Sequence, residues 1–202
     1  VISGQVQSHL IGTDAFQETD MIGISRPIVK HSFTVDHQSN IPRIVKEAFY
    51  VATSGRQGPV VIDVPKDLTN PDDLFDFNYP DEANIRSYNP PIKPEENQID
   101  RVIEALKNSK RPVIYAGGGT IASNASNELR EFNSYIKAPV TNTLMGLGVY
   151  PGTDKYFLGM LGMHGTFQAN MAMHNADLIL AVGARFDDRI TNTPEKFAPR
   201  AQ

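Results

Sequence analysis

The sequence predicts an α/β protein built from parallel-sheet domains, and three observations carry that reading. An amphipathic helix over residues 41–52 is followed by the almost continuously apolar run Pro59 to Pro65, as expected of a strand covered on both faces of a parallel sheet. From Glu95 onward helical and strand patterns alternate, the order that produces a doubly wound sheet. The predicted strands of that second half all end in glycine-bearing loops, at the edge where open α/β sheets bind their ligands.

Taken in order, Val1-Ile2-Ser3-Gly4 is strand-like. Ile41, Ile44, Val45, Ala48, Phe49 and Ala52 then recur at the three-and-four spacing of a helix with one buried stripe. Asn40 is placed to cap that helix, Pro42 stands near its start and Gly55 just past its end. Between residues 71 and 94, Asp72, Asp73, Asp76 and Asp81 alternate with Phe75, Phe77 and Tyr79, and Pro71, Pro80, Pro90, Pro91 and Pro94 interrupt any regular element. This segment reads as a linker lying against the protein surface, so the expected domains are 1–70 and 95–202. In the second, Ile99, Val102, Ile103 and Leu106 share one helical face, followed by the strand Pro112 to Ala116 and the turn Gly117-Gly118-Gly119. Leu129, Phe132 and Ile136 mark the next helix, Ala138 to Asn142 a short strand, and Thr143 to Gly148 its exit loop. A third helix over Phe167 to Asn175 leads into the strand Asp177 to Val182 and the loop Gly183 to Arg189.

Composition narrows the function. The 202 residues are 40% hydrophobic and 21% charged, with a net charge of −4, which suits a globular chain and lacks the basic surplus that binding to nucleic acid requires. There is no cysteine, so disulfides, thiolate metal sites and cysteine nucleophiles are excluded, and a cytoplasmic location is expected. The longest apolar runs fall far short of the roughly 18 to 20 residues that span a bilayer, so no membrane partner is expected. The chain starts at Val1 within a strand-like run, without a signal-peptide pattern, and both ends read as cuts through a longer protein.

Several groups are candidates for chemistry. Gly117, Gly119 and Ala122 satisfy the G-x-G-x-x-G/A pattern, in which glycine lets the backbone approach a phosphate and the following helix offers free amides. Glycine-rich turns after strands also arise for steric reasons. Asn142 and Thr143 stand where a ribose-binding acid should close the second strand, which disfavours an ordinary NAD site. Arg185, Asp187, Asp188 and Arg189 read either as a self-paired solvated loop or as a cationic contact for a phosphate or flavin edge. Of the five histidines, none shows ligand spacing, and no metal site is expected. Only His164, between two glycines at a helix start, stands apart.

The blocks GQV (Gly4 to Val6), IGTDAFQETD (Ile11 to Asp20), RPIVKH (Arg26 to His31), SGRQGPVVIDVPKD (Ser54 to Asp67), YAGGG (Tyr115 to Gly119), TLMGLG (Thr143 to Gly148), GMLGMHGT (Gly159 to Thr166) and GARFDDR (Gly183 to Arg189) resemble, in order and spacing, the acetolactate synthase (acetohydroxyacid synthase) catalytic subunit. The resemblance covers essentially the whole chain. It implies the second half of a thiamine pyrimidine-binding domain (1–70), a linker (71–94), and most of a doubly wound, FAD-binding central domain (95–202).

The implied function is that of a thiamine diphosphate-dependent carboligase, a transferase of branched-chain amino-acid biosynthesis. It decarboxylates pyruvate and condenses it with a second 2-ketoacid to acetolactate or acetohydroxybutyrate. The resemblance places Phe16, Gln17 and Lys66 near thiamine and substrate. It places Arg56, Gly118, Thr143, Leu144, Leu161, Gly162, Met163, His164, Gly183, Ala184, Arg185, Phe186 and Asp187 at FAD. Thiamine diphosphate and Mg2+ are implied for the full-length enzyme, with the catalytic glutamate upstream and the G-D-G metal motif downstream, so that this segment alone is expected to be inactive. A homo-oligomer with its active site at the subunit interface and a regulatory small subunit are further implications. Gln7 stands where many members have proline, which implies altered sensitivity to sulfonylurea-type inhibitors. Glyoxylate carboligase and a non-catalytic FAD-binding module are the alternatives.

Overall fold

A computed structural model describes residues 1–202. It divides the chain into two compact units, Val1–Lys93 and Pro94–Gln202.

In the first unit, β1 (Ile2–Gln5) leads through a long loop to α1 (Met21–Ser25) and β2 (His31–Thr34), then α2 (Ile41–Thr53) and β3 (Val60–Pro65). The three strands are parallel in the order β1-β3-β2, with Gln5 level with Pro65 and Thr34 level with Asp63. The expected helix and central strand are both present. Alternation along β3 turns Val60, Ile62 and Val64 toward Ile44, Ala48 and Val51 of α2, each fully buried aliphatic group contributing about 1.5–3 kcal/mol. Asn40 precedes α2, but its amide does not cap the helix. It donates instead to Asp36 Oδ1 at 2.7 Å, and a short 3-10 turn over Gln38–Asn40 leads into α2. Within the segment read as a linker, Ile85 and Tyr88 pack on the core of this unit. Lys30 Nζ donates to the Tyr88 hydroxyl and to the Val51 and Ser54 carbonyls, each at 2.6 Å, so one cation satisfies the end of α2 and holds Tyr88 against it.

The second unit runs α3 (Glu96–Asn108), β4 (Pro112–Ala116), α4 (Gly118–Ala122), α5 (Ser126–Ile136), β5 (Val140–Asn142), β6 (Phe157–Met160), α6 (Phe167–Asn175), β7 (Leu178–Val182) and α7 (Asp188–Thr191). Its four strands are parallel in the order β6-β5-β4-β7, the winding expected of a doubly wound sheet. The strand β6 was not anticipated, because Gly159 has φ +87° and the pairing with β5 is irregular. The periodic signal of a strand is lost there.

Both faces of β4 are covered. Ile114 and Ala116 pack with Leu129 and Val140, while Val113 and Tyr115 pack with Leu161 and Met173. The apolar side of α3 is less enclosed than its spacing suggests: Ile99, Val102 and Ile103 remain more than 40% exposed. Beyond β7, Gln202 donates its N–H to the Asp177 carbonyl and accepts the N–H of Ile179, both at 3.1 Å.

Candidate functional site

In a parallel sheet all carboxyl ends lie at one edge, so the topology of each unit determines which loops meet. In the first unit the loop after β1 and the turn after β3 share that edge. Asp67 joins them by accepting the Ser8 N–H at 2.8 Å and the Ser8 hydroxyl at 3.0 Å. Phe16 and Gln17 stand on the first loop and Lys66 begins the second, so the structure assembles these three candidates at one edge.

Phe16 is 90% exposed, and Lys66 is exposed with neither an ion pair nor a side-chain hydrogen bond. Gln17 has φ +67°, a left-handed conformation that a non-glycine residue adopts at some cost. Arg56 lies in the exposed loop between α2 and β3, at the amino end of β3, and is not grouped with the other three.

In the second unit the chain leaves β4 toward β5 and β6 and returns on the other side to form β7, so the topological switch point lies between β4 and β7. The loops Gly117–Gly119 and Gly183–Asp187 meet there. Their glycines are explained first by contact with one another. A Cβ on Gly119 would lie 2.8 Å from Gly183 Cα, one on Gly146 would lie 2.9 Å from Gly117 Cα, and Gly183 itself has φ +59°. Two of the first amides of α4 are also taken: Gly119 donates to the Gly183 carbonyl at 2.9 Å and Thr120 to the Gly117 carbonyl at 3.1 Å. The steric reading of the G-x-G-x-x-A spacing thus has a concrete basis, a backbone joint between two strand-end loops, with Gly118 beside Met145 at its margin.

The remaining candidates surround this joint. Thr143 donates its N–H to the Ala116 carbonyl at 2.9 Å, bringing the β5 exit beside β4. Leu161 and Gly162 are buried, whereas Met163 and His164 are exposed. Met163 N–H donates to the Arg189 carbonyl at 3.1 Å, linking the loops that follow β6 and β7. Arg185 pairs with Asp187 at 3.3 Å, and Arg189 with Asp188 at 3.7 Å, so this loop is largely self-paired. Leu144, Met145 and Met163 leave an exposed apolar surface over the strand ends. Phe186 lies 5.3 Å from the ring of Tyr115 and 5.8 Å from that of Phe197. A groove of about 740 Å3 lies beside Asp177 and Leu178 at the start of β7, so it is at the opposite edge from these loops.

Several residues that shape these loops carry no obvious motif signal. Asn170 on α6 donates to the Gly162 carbonyl at 3.1 Å and accepts the Gly162 N–H at 3.2 Å, holding the loop from both sides. Asn142 donates to the Gly146 carbonyl at 2.9 Å while its buried Oδ1 has no partner. Asp63 shows the one available signal, an acid inside the apolar run Val60 to Pro65.

Residues 99–202 match the family model of the thiamine pyrophosphate enzyme central domain. The whole chain is 54% identical to the acetolactate synthase large subunit of Haemophilus influenzae, 58% to that of Buchnera aphidicola and 52% to the acetolactate synthase isozyme 3 large subunit of Escherichia coli. It spans 35% of the length of each of these relatives. Among solved structures, a thiamin diphosphate-dependent enzyme from Mycobacterium smegmatis shares the fold with a TM-score of 0.71 at 23% identity, over 91% of this chain and 35% of that one.

Proposed function

We infer that this chain, which belongs to the thiamine pyrophosphate enzyme family by its central domain, is part of a carboligase that decarboxylates pyruvate and joins the two-carbon unit to a second 2-ketoacid, giving acetolactate or acetohydroxybutyrate. The observation that carries this reading is the 52–58% identity to acetolactate synthase large subunits across the whole chain.

The first unit contributes the substrate side of the reaction. Lys66 offers an unpaired ammonium to a ketoacid carboxylate, and exposed Phe16 supplies an apolar wall. Gln17, placed by its left-handed backbone, can donate its amide to a ketoacid oxygen. When bound, thiamine diphosphate supplies the electron sink that lets the carboxylate of pyruvate leave as CO2 and the remaining carbon attack a carbonyl. Neither its activating glutamate nor a holder for its Mg2+ is assigned to this chain.

The second unit fits a flat, partly apolar group with a charged tail, as FAD is. Leu144, Met145 and Met163 provide apolar surface and Arg185 a cation, all on loops beside the β4/β7 switch point. In this reading Gly118, Thr143, Leu144, the run Leu161 to His164 and the run Gly183 to Asp187 hold the flavin nucleotide.

The test is product formation by the full-length protein with thiamine diphosphate, Mg2+ and FAD, supplied with pyruvate, pyruvate plus 2-ketobutyrate, or glyoxylate. Acetolactate and acetohydroxybutyrate are the expected products. Product from glyoxylate alone would replace this reading with glyoxylate carboligase, and FAD binding without turnover would favour a non-catalytic module.

A further inference from the structure

Asp63 is the acidic residue of the most buried strand of the first unit. It is only 3% exposed, and the inward alternation of Val60, Ile62 and Val64 toward α2 turns it to the opposite face of the sheet, where α1 packs. One carboxylate oxygen, Oδ1, is buried without a partner. The other, Oδ2, accepts from Gln5 Nε2 at 3.2 Å.

Gln5 uses every polar atom of its amide. Nε2 also donates to the Thr19 carbonyl at 2.7 Å, and Oε1 accepts the N–H of Val6 at 2.8 Å. A buried acid with an unpaired oxygen costs stability, and an apolar residue of similar shape would avoid that cost. What the acid supplies in return is an acceptor that orients one amide, and that amide grips both ends of the loop carrying Phe16 and Gln17.

We propose that Asp63 is a positioning residue for substrate: acting through Gln5 and the Thr19 carbonyl, it anchors the loop over residues 6–20 and so determines where Phe16 and Gln17 stand. This rests on the reading of those two residues as substrate-facing. Burial and the nearby Asp20 carboxylate raise the Asp63 pKa above its ordinary value while the Gln5 bond lowers it, with burial the largest effect. The neutral acid is thus favoured relative to an exposed aspartate, and asparagine is its close mimic.

The experiment compares Asp63→Leu, Asp63→Asn and Gln5→Leu in the full-length protein, by amide hydrogen exchange and by steady-state kinetics with pyruvate. Asp63→Leu should speed exchange over residues 12–20 by about tenfold while leaving residues 60–64 protected. It should also raise KM for pyruvate about tenfold with kcat changed less than about threefold. Gln5→Leu, which leaves the buried acid in place, should do the same, and Asp63→Asn should restore both readouts to near wild type.

A purely structural role predicts instead that Asp63→Leu and Asp63→Asn lower the melting temperature with the 12–20 exchange pattern unchanged, and that outcome would overturn the proposal. So would a loosened loop with an unaltered KM. Absence of turnover in the unmodified protein would count against the functional reading alone, because exchange reports on the anchor without any reaction.

Discussion

Glu18 Oε2 accepts the backbone N–H of Ala15 at 3.1 Å, so the loop that carries Phe16 and Gln17 closes on a carboxylate of its own. The Gly12 N–H donates to the other oxygen of the same group, and the Glu18 N–H returns to the Ala15 carbonyl at 2.9 Å. An ionised acid accepting several backbone amides can hold neighbouring residues in conformations they would otherwise avoid. Here those include Asp14 at φ +57° and Gln17 at φ +67°.

The Glu18 carboxyl is held below its ordinary value of 4.5, chiefly by the Gly12 N–H. A lowered folded pKa means that the loop's order is fully supported above the unfolded value and is lost as pH falls through the folded one. Glu18→Gln should therefore speed amide exchange over residues 12–18 at neutral pH to the level the unmodified chain reaches only in acid. Equal exchange in the two proteins at pH 7 would refute this.

Asp177 performs a similar task in the second unit. It accepts the N–H groups of Lys110 and Arg111 at 2.9 Å each, and the Ser109 hydroxyl also donates to it. The Ser109 hydroxyl first, then the two backbone amides, lower its pKa to about 2. Stability from this group is complete above the unfolded value near 3.8 and disappears as pH falls through about 2. Carboxyl-detected NMR titration should show one aspartate with a midpoint close to 2, missing from Asp177→Asn; a full set of aspartates titrating near 4 would contradict the geometry.

Tyr115 lies in the core under the loop after β7, and its hydroxyl reaches the Arg185 carbonyl at only 3.5 Å. Burial, with the Asp187 charge adding to it, pushes its pKa up to about 12. Because the folded value is raised, this tyrosine supports the fold fully below pH 10 and ceases to do so as pH rises through about 12. Among the seven tyrosines, one should ionise late in a spectrophotometric titration, and Tyr115→Phe should remove that phase at a cost below about 1 kcal/mol. A late phase that persists in the variant would assign it to another residue.

Gln7 occupies a backbone position that proline can adopt. Its φ is −57° and ψ 145°, and its N–H takes part in none of the turn and loop hydrogen bonds around it. Gln7→Pro should stabilise the chain by about 0.4–1 kcal/mol through a less flexible unfolded state. A fall in the denaturant midpoint would show that the loop needs the amide after all.

Lys66 has no partner to lose. Lys66→Ala should leave stability within about 0.5 kcal/mol while raising KM for pyruvate in the full-length protein. An unchanged KM with a large drop in melting temperature would make it a structural residue and remove it from the substrate side.

Elements whose role is local are legible in the sequence: α2 and α5 from apolar spacing, β3 and β4 from nearly continuous apolar runs, and the order of blocks that marks the relatives. Such features are legible because periodicity reports directly which face of an element is buried. Tertiary structure decided everything that depends on residues far apart in the chain. Asn40 could have capped α2, but Asp36 offered its side chain a nearer partner. The glycines after β4 read from sequence either as a phosphate cradle or as a steric need, and the steric need becomes visible only when strand order brings Gly183, more than sixty residues on, against Gly117 and Gly119. β6 was hidden because a glycine in a left-handed conformation interrupts its pattern. Asp63, Gln5 and Thr19 meet because β1 and β3 are neighbours in register, and no periodicity carries that information. Hydrogen bonds between side chains and distant backbone are set by which strands pair, and pairing is settled by the summed burial of whole faces rather than by any one residue's identity.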